Sequence, residues 1–228
     1  MSHFVLVPGM NHGGWWYAPL VEALESVEGA GHTATAVTLT GLEAEPDVDR
    51  RVVLDTHVAD VVAAVDAAPA ASRTGRDVVL VGHSYGGLPI TAAADVRSDV
   101  VRALVYLDAF VPQDGDSAWT LTNDEEREWW TTDARRSGDT VDPLPFFDDQ
   151  ARPHPVGTLL QGVRLAGAWR DVPAQVFAEA TEWPGETPLR TSIDRAVADD
   201  DITVVRWQTR HNVMHDGPGR VLELLRGL

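Results

Sequence analysis

The chain has 228 residues, and its 18 basic side chains, all arginine, stand against 35 acidic ones, giving a net charge of −17 at neutral pH. Such an acidic chain disfavours nucleic acids and anionic membranes as partners, because both would repel it. The absence of cysteine excludes disulfides, thiolate catalysis and cysteine-ligated metal sites, while a hydrophobic content of 44% is enough for a core.

No apolar stretch approaches the roughly 20 residues that a membrane-spanning helix needs. The chain starts without a basic, signal-like segment, so we expect a cytoplasmic protein. Its length predicts a single domain over residues 1–228. The oligomeric state is left open by the sequence.

Short β-branched runs alternate with longer, alanine-rich segments. The predicted strands cover residues 4–8, 33–39, 77–82, 100–108, 174–180 and 202–208. The predicted helices cover residues 16–26, 56–67, 88–95, 192–199 and 218–228. Several strands are apolar throughout, as is typical of a parallel sheet buried on both faces. The alternation therefore predicts an α/β fold with a doubly wound, mostly parallel sheet.

Residues 111–172 break this alternation, since they are rich in Pro, Asp and Trp and show no clear strand. A stretch of about 60 residues is too long for an ordinary connection between two strands. We expect a small, mostly helical cap inserted between two central strands, over the sheet edge where ligands bind. An elaborate surface excursion is the alternative. Four of the eight tryptophans lie here and belong either to the substrate pocket or to a satellite core: Trp119, Trp129, Trp130 and Trp169.

A short motif in the middle of the chain indicates nucleophilic chemistry. Residues 82–87 read GHSYGG, which fits G-x-S-x-G, and they lie between a predicted strand and a predicted helix. In this context the serine occupies a strained turn, and side chains in place of Gly82 or Gly86 would collide with neighbouring chain. The hydroxyl then lies at a helix N-terminus, which favours developing negative charge. We therefore predict that Ser84 is a nucleophile rather than part of an ordinary turn.

A serine nucleophile needs a base, which we expect after the last strand. Only two of the eight histidines lie there, His211 and His215. His211 follows the predicted strand 202–208 and precedes the terminal helix, so it is the favoured base. His215 is better explained as an exposed or structurally hydrogen-bonded side chain. A zinc-binding H-E-x-x-H motif would need glutamate where Asn212 stands, so no metal site is predicted.

Two carboxylates follow predicted strands and could orient the base. Asp108 ends the apolar strand 100–108, where a charge is costly unless it has a partner. Glu182 follows the strand 174–180 and is the alternative acid. We favour Asp108, although it could instead cap a loop at the entrance of the cap, and Glu182 could be an ordinary surface charge.

Backbone amides near Ser84 could stabilise an oxyanion. One is the N–H of Tyr85, directly after the nucleophile. The second would come from the glycine-rich loop after the first strand, where Met10 is the favoured donor because Pro8 has no N–H. His12, in the same loop, is a candidate for the substrate pocket. The loop lacks G-x-G-x-x-G and a Walker lysine, so no cofactor is predicted.

Four segments together resemble the α/β-hydrolase superfamily, in the small branch that includes plant methylesterases and hydroxynitrile lyases. They read FVLVPGMNHGGWW (4–16), GHSYGG (82–87), YLDAFVPQDGDS (106–117) and HNVMHDGP (211–218). The resemblance covers essentially the whole chain and is weakest in the cap. It implies Ser84 as nucleophile, His211 as base, and the amides of Met10 and Tyr85 as oxyanion donors.

The chain differs from the proteins it resembles at positions that bear on the reaction it can catalyse. In much of the superfamily the acid follows the strand that here ends near Glu182, whereas Asp108 matches the layout of some haloalkane dehalogenases. Pro8 replaces a histidine common in relatives, which affects the shape of the oxyanion loop. Hydroxynitrile lyases of this type place a lysine after the catalytic histidine, where Asn212 stands here.

These features predict a serine hydrolase that cleaves a small, largely apolar carboxylic ester or lactone through an acyl-enzyme intermediate. One alternative is a non-hydrolytic cyclase or lyase on the same scaffold, since a fold does not determine a reaction. The other is a catalytically silent protein that binds a small molecule. Apart from that small molecule, we expect no nucleic acid or membrane partner.

Overall fold

The computed structural model describes residues 2–26, 32–45, 51–69 and 75–228. Its main element is a sheet of six strands in the order β2-β1-β3-β4-β7-β8, and every neighbouring pair is parallel. The strands are β1 (His3–Val7), β2 (Thr33–Ala36), β3 (Val78–Ser84), β4 (Val101–Ala109), β7 (Ala174–Ala180) and β8 (Ile202–Trp207). The predicted α/β fold with a mostly parallel sheet is therefore confirmed.

Helices connect the strands and cover both faces of the sheet. In the main body they are α1 (Ala18–Glu25), α2 (Leu54–Asp66), α3 (Gly87–Val96), α7 (Arg190–Ala198), α8 (Val213–Asp216) and α9 (Pro218–Arg226). Successive residues of the central strands belong to two different buried apolar clusters. One cluster includes Leu80 and Leu104, and the other includes Val79 and Val105. This alternation shows that β3 and β4 are buried on both faces, as the apolar runs predicted.

Most predicted boundaries differ from the structure by one or two residues, and two of the differences have clear reasons. Strand β2 ends at Ala36 rather than at residue 39, because its last paired partner is Leu6, next to the end of β1. The first predicted helix starts with a 3₁₀ turn at Gly14–Tyr17, and α1 begins only at Ala18. Pro19 then lies in the first helical turn, where its missing N–H costs nothing.

The inserted segment, residues 111–172, contains α4 (Ala118–Leu121), α5 (Asp124–Ser137) and α6 (Val156–Leu160). It also contains an antiparallel ribbon of β5 (Thr140–Val141) and β6 (His154–Pro155). The expectation that this segment has no strand was therefore wrong. Strands of two residues are too short to show a period-two pattern, so only the folded chain reveals them.

Among the described residues, no helix is both long and apolar enough to cross a membrane.

Candidate active site

The turn between β3 and α3 holds Ser84 in a strained conformation. Its φ angle is +53°, in the left-handed region that residues other than glycine rarely adopt. A Cβ at Gly86 would lie 2.5 Å from the carbonyl oxygen of Val7, and one at Gly82 would lie 2.7 Å from the carbonyl oxygen of Gly86. The two glycines are thus required by close backbone approach, as the motif predicted. The turn leaves Ser84 partly exposed at the carboxyl end of β3.

Asp108 lies at the corresponding end of the neighbouring strand β4 and is fully buried, with a φ of +44°. Its carboxylate accepts three hydrogen bonds. The donors are His211 Nδ1 at 2.7 Å, the indole N–H of Trp183 at 3.0 Å and the backbone N–H of Ala180 at 3.1 Å. These partners compensate the burial of the charge.

Glu182, the alternative acid, lies in a different environment. Its side chain is exposed, while its backbone N–H donates to the carbonyl of Thr209 at 3.0 Å. Of the two carboxylates that follow strands, the structure therefore brings Asp108, and not Glu182, into contact with His211.

The His211 ring is held from three sides. Besides the bond to Asp108, it packs between the rings of Trp183 and His83, with centroid distances of 4.6 and 4.5 Å. His83 Nε2–H donates to the carbonyl oxygen of His211 at 2.9 Å. Burial lowers the pKa of His83 well below its usual value, so this ring is a neutral donor. His215 is exposed and contacts Asp216 instead.

With Nδ1 bonded to Asp108, Nε2 is the nitrogen of His211 that remains to take up a proton. Within the described residues, no hydrogen bond joins it to the Ser84 hydroxyl. His211 nevertheless lies beside the turn that carries Ser84, because the ring of His83, the residue before Ser84, packs on the His211 ring. Catalytic hydrogen bonds of free enzymes commonly shorten only when substrate binds.

The loop after β1 passes directly beside Ser84. A Cβ at Gly9 would lie 3.0 Å from Ser84 Cβ. The next amide, that of Met10, and the amide of Tyr85 donate to no other group of the described chain. Two N–H groups, one from the residue after Ser84 and one from the neighbouring loop, are therefore free to donate a hydrogen bond.

The aromatic residues predicted to line the substrate pocket lie in different parts of the structure. His12 packs against Trp16 and Phe147, with centroid distances of 5.4 and 4.9 Å. Trp119 and Trp130 line an apolar cavity of about 310 Å³ within the inserted segment.

Trp129 and Trp169 lie elsewhere. The indole of Trp129 donates to Asp133 on its own helix. Trp169 is buried and its backbone N–H donates to Asp95, near the end of α3 that lies away from Ser84. Because Trp169 comes shortly before β7, it lies at the amino end of the sheet. The structure therefore does not bring Trp169 to the site.

Glu126, in the first turn of α5, was not predicted from the sequence as a residue of the site. Burial raises the pKa of this carboxyl to about 7, an effect that the nearby His211 and Trp130 partly offset. No sequence signal could have shown this, since an acidic residue in a first helical turn is ordinarily explained by the helix dipole. The role of Trp183 was also missed, and its only signal is its position just after a strand.

Several known proteins are similar to this chain over most or all of its length. A model of the alpha/beta hydrolase family matches residues 4–224. The carbendazim hydrolyzing esterase of a Nocardioides species is 31% identical over 250 residues, which cover 100% of both chains. Salicylic acid-binding protein 2 of Nicotiana tabacum is 32% identical over 191 residues, covering 78% of this chain and 69% of that protein.

Among solved structures, an extracellular alpha/beta-hydrolase from a Paenibacillus species superposes with a TM-score of 0.78. The alignment covers 99% of this chain and 98% of that chain, at 21% identity. At this level of sequence identity, the structural similarity shows only that the two chains share a fold.

Proposed function

Because this chain belongs to the alpha/beta hydrolase family, we propose that it is a serine esterase for a small, largely apolar carboxylic ester or lactone. The observation that carries the proposal is the 2.7 Å hydrogen bond between buried Asp108 and His211, beside the strained turn of Ser84. The Nocardioides relative, similar over its whole length, is itself named an esterase.

In the proposed reaction, the Ser84 hydroxyl attacks the ester carbonyl while His211 Nε2 takes its proton. Asp108 keeps the proton on Nδ1 and stabilises the imidazolium that forms. The amides of Met10 and Tyr85 bind the oxyanion of the tetrahedral intermediate. The imidazolium then returns its proton to the leaving alcohol, and a water molecule releases the acid by the same steps.

The substrate class is proposed from the apolar cavity of the inserted segment. Trp119 and Trp130 line the cavity in the inserted segment, together with Val156 and Leu160. An apolar acyl or alcohol group suits such a surface. The net charge of −17 mildly disfavours anionic substrates.

Several expectations remain predictions. They are a single domain with a cap, the absence of a cofactor, the absence of nucleic acid and membrane partners, and a cytoplasmic location. On the last point, the structural relative from Paenibacillus is described as extracellular.

The decisive experiment measures hydrolysis of p-nitrophenyl acetate and butyrate by the wild type, Ser84→Ala and the exposed-site control Ser137→Ala. We expect Ser84→Ala to lose about 10⁴-fold or more in kcat, with the control unchanged. A fluorophosphonate should label the wild type and not Ser84→Ala. If wild type and Ser84→Ala are equally inert and Ser84 stays unlabelled, the esterase proposal fails, and a non-hydrolytic enzyme or a binding protein takes its place.

A further inference from the structure

Two buried histidines that take no part in the proposed reaction lie close to both oxyanion residues. The first is His57 on α2, which is fully buried. Its Nε2 is 2.9 Å from the carbonyl oxygen of Thr40 and its Nδ1 is 2.8 Å from the hydroxyl of Tyr85. A carbonyl can only accept, so Nε2 carries the proton and the Tyr85 hydroxyl donates to Nδ1.

The second histidine, His154, contacts the loop that carries the other oxyanion amide. It is also fully buried, and its Nδ1 accepts from the backbone N–H of Asn11 at 3.3 Å. Its Nε2–H therefore donates to Thr158 Oγ1 at 2.8 Å, while that hydroxyl donates to the carbonyl of Pro155. Asn11 directly follows Met10.

Asn11 itself is strained and firmly held. Its φ is +64°, and its side-chain amide donates to the carbonyls of Val141 and Arg152 at 2.9 and 2.8 Å. The backbone N–H of Arg152 returns a bond to the carbonyl of Asn11 at 2.9 Å. A strained loop residue persists only where its surroundings over-determine it, as these bonds do.

The two histidines form one contact network with Tyr85. The His154 ring meets the Tyr85 ring edge to face at 4.8 Å, and the rings of His57 and His154 lie 5.7 Å apart. Burial lowers the pKa of His57 to about 4 and that of His154 well below its usual value. Each ring is therefore neutral at pH 7 and presents one donor and one acceptor, which its partners require.

We propose that His57 and His154 are positioning residues that hold the amides of Tyr85 and Met10 in place for the oxyanion. The inference rests on the esterase function proposed above. His57 fixes the side chain of Tyr85, whose own N–H is one donor, and His154 fixes the peptide that follows Met10. Neither histidine touches the substrate.

The physical reason is that oxyanion stabilisation depends on donors that are in place before the reaction begins. A displacement of about 1 Å at such a group can cost about 100-fold in rate. A hydrogen bond fixes an orientation only when its partner cannot move, and both histidines are anchored at their second nitrogen.

The first test compares two conservative variants, Tyr85→Phe and Tyr106→Phe. Both hydroxyls are buried and make a 2.8 Å side-chain hydrogen bond, Tyr85 to His57 and Tyr106 to Thr91. We expect similar losses of stability, but only Tyr85→Phe should lower kcat, by about tenfold with KM nearly unchanged. Its affinity for a trifluoromethyl ketone, which mimics the tetrahedral intermediate, should fall by the same factor.

The second test uses His154→Gln, with His3→Gln as the matched control. His3 is also buried and bonds two threonine hydroxyls, but at the amino end of β1. His154→Gln should speed deuterium uptake by a peptide covering residues 8–12, and His3→Gln should not. This exchange measurement does not depend on catalysis.

The outcomes separate the two proposals. If wild type is active but Tyr85→Phe behaves like Tyr106→Phe in kcat and in ketone affinity, the positioning role is wrong and the esterase function stands. If His154→Gln leaves uptake by residues 8–12 unchanged, the positioning role is likewise overturned. If His154→Gln speeds uptake but wild type is as inert as Ser84→Ala and Ser84 stays unlabelled, His154 still holds the loop, and it is the esterase proposal that fails.

Discussion

Two regions build the candidate site in different ways. One is the strand edge, which comprises Ser84, Asp108 and the loop of His211, and the other is the inserted segment, residues 111–172. At the strand edge, Ser84 and Asp108 end neighbouring parallel strands in the same strained region, with φ of +53° and +44°. The inserted segment reaches the site through contacts with distant parts of the chain, such as Val141 with Asn11. The proposed chemistry thus depends on local backbone geometry, whereas the pocket depends on long-range packing.

The largest effect is expected from a change at the strand edge, and it tests whether the catalytic residues lie there. Asp108→Asn removes the charge that orients His211 and should lower kcat by about 10³- to 10⁴-fold. Glu182→Gln should change kcat by less than about twofold, because the carboxylate is exposed and does not contact His211. Steady-state kinetics with p-nitrophenyl butyrate measures both, and the reverse order would move the acid to the end of β7.

The second prediction tests the backbone strain at the strand edge. Gly86→Ala would place a Cβ 2.5 Å from a backbone oxygen, so we expect the free energy of unfolding to fall by about 1–3 kcal/mol or more. The matched control is Gly219→Ala on α9, where a Cβ meets nothing within 4 Å. The control should be neutral or stabilising by up to about 1 kcal/mol. Urea denaturation measures both, and equal effects would refute the close-approach argument.

The third prediction concerns the inserted segment, through Glu126. Its pKa is raised from 4.5 to about 7 in the folded protein. Between these two pH values the folded state holds a proton that the unfolded chain has lost. The contribution of Glu126 to the free energy of unfolding is therefore fully present below pH 4.5 and is lost as the pH rises to about 7. At about 1.4 kcal/mol per pKa unit, the loss of stability over this pH range is at most about 3 kcal/mol, and partial solvent exposure reduces it further.

Glu126→Gln should therefore gain stability over the wild type as the pH rises from about 5 to about 8. Glu125→Gln, at the exposed position beside it, should show no such pH-dependent gap. Thermal melts at both pH values measure the difference. A gap that is constant with pH would show that Glu126 is not buried beside His211 in solution.

The smallest effect is expected at the rim of the inserted segment. Phe146 is 79% exposed, and its ring packs on Phe147, which contacts His12. Phe146→Ser should raise KM for the butyrate ester by about two- to threefold, with kcat and stability little changed. Val197→Ser on α7, also exposed, should leave KM unchanged. A large fall in kcat for Phe146→Ser would contradict the division between chemistry and pocket.

Much of the fold could be predicted because its signals are local. Strand β7 is found at the predicted residues 174–180. Strands β3 and β4 contain the continuous apolar runs 78–81 and 104–107, which can be recognised without knowing the partner strands. The strained turn could be predicted as well, because the need for glycine at 82 and 86 follows from a tight strand-to-helix turn. Strand β2 was predicted too long, because its end depends on where its partner β1 ends.

The sequence favoured Asp108 as the acid but left Glu182 open as the alternative. Asp108 and Glu182 both lie close to the end of a strand, and only the folded chain shows which one contacts His211. The histidine network behind Tyr85 and Asn11 has no sequence signal at all, since isolated histidines on helices and short strands are ordinarily core or surface residues.

By itself, then, the sequence determined the layered α/β fold, the position of Ser84 and the absence of cysteine and lysine chemistry. Those features depend on residue type and on spacing within about ten residues, which periodicity and steric rules can interpret. The tertiary structure alone decided the contact of Asp108 with His211, the environment of Glu126 and the anchoring of Asn11. Those features depend on contacts between residues far apart, 103 positions for Asp108 and His211 and 143 for Asn11 and His154. Burial and hydrogen bonding at such contacts exist only once the chain has folded.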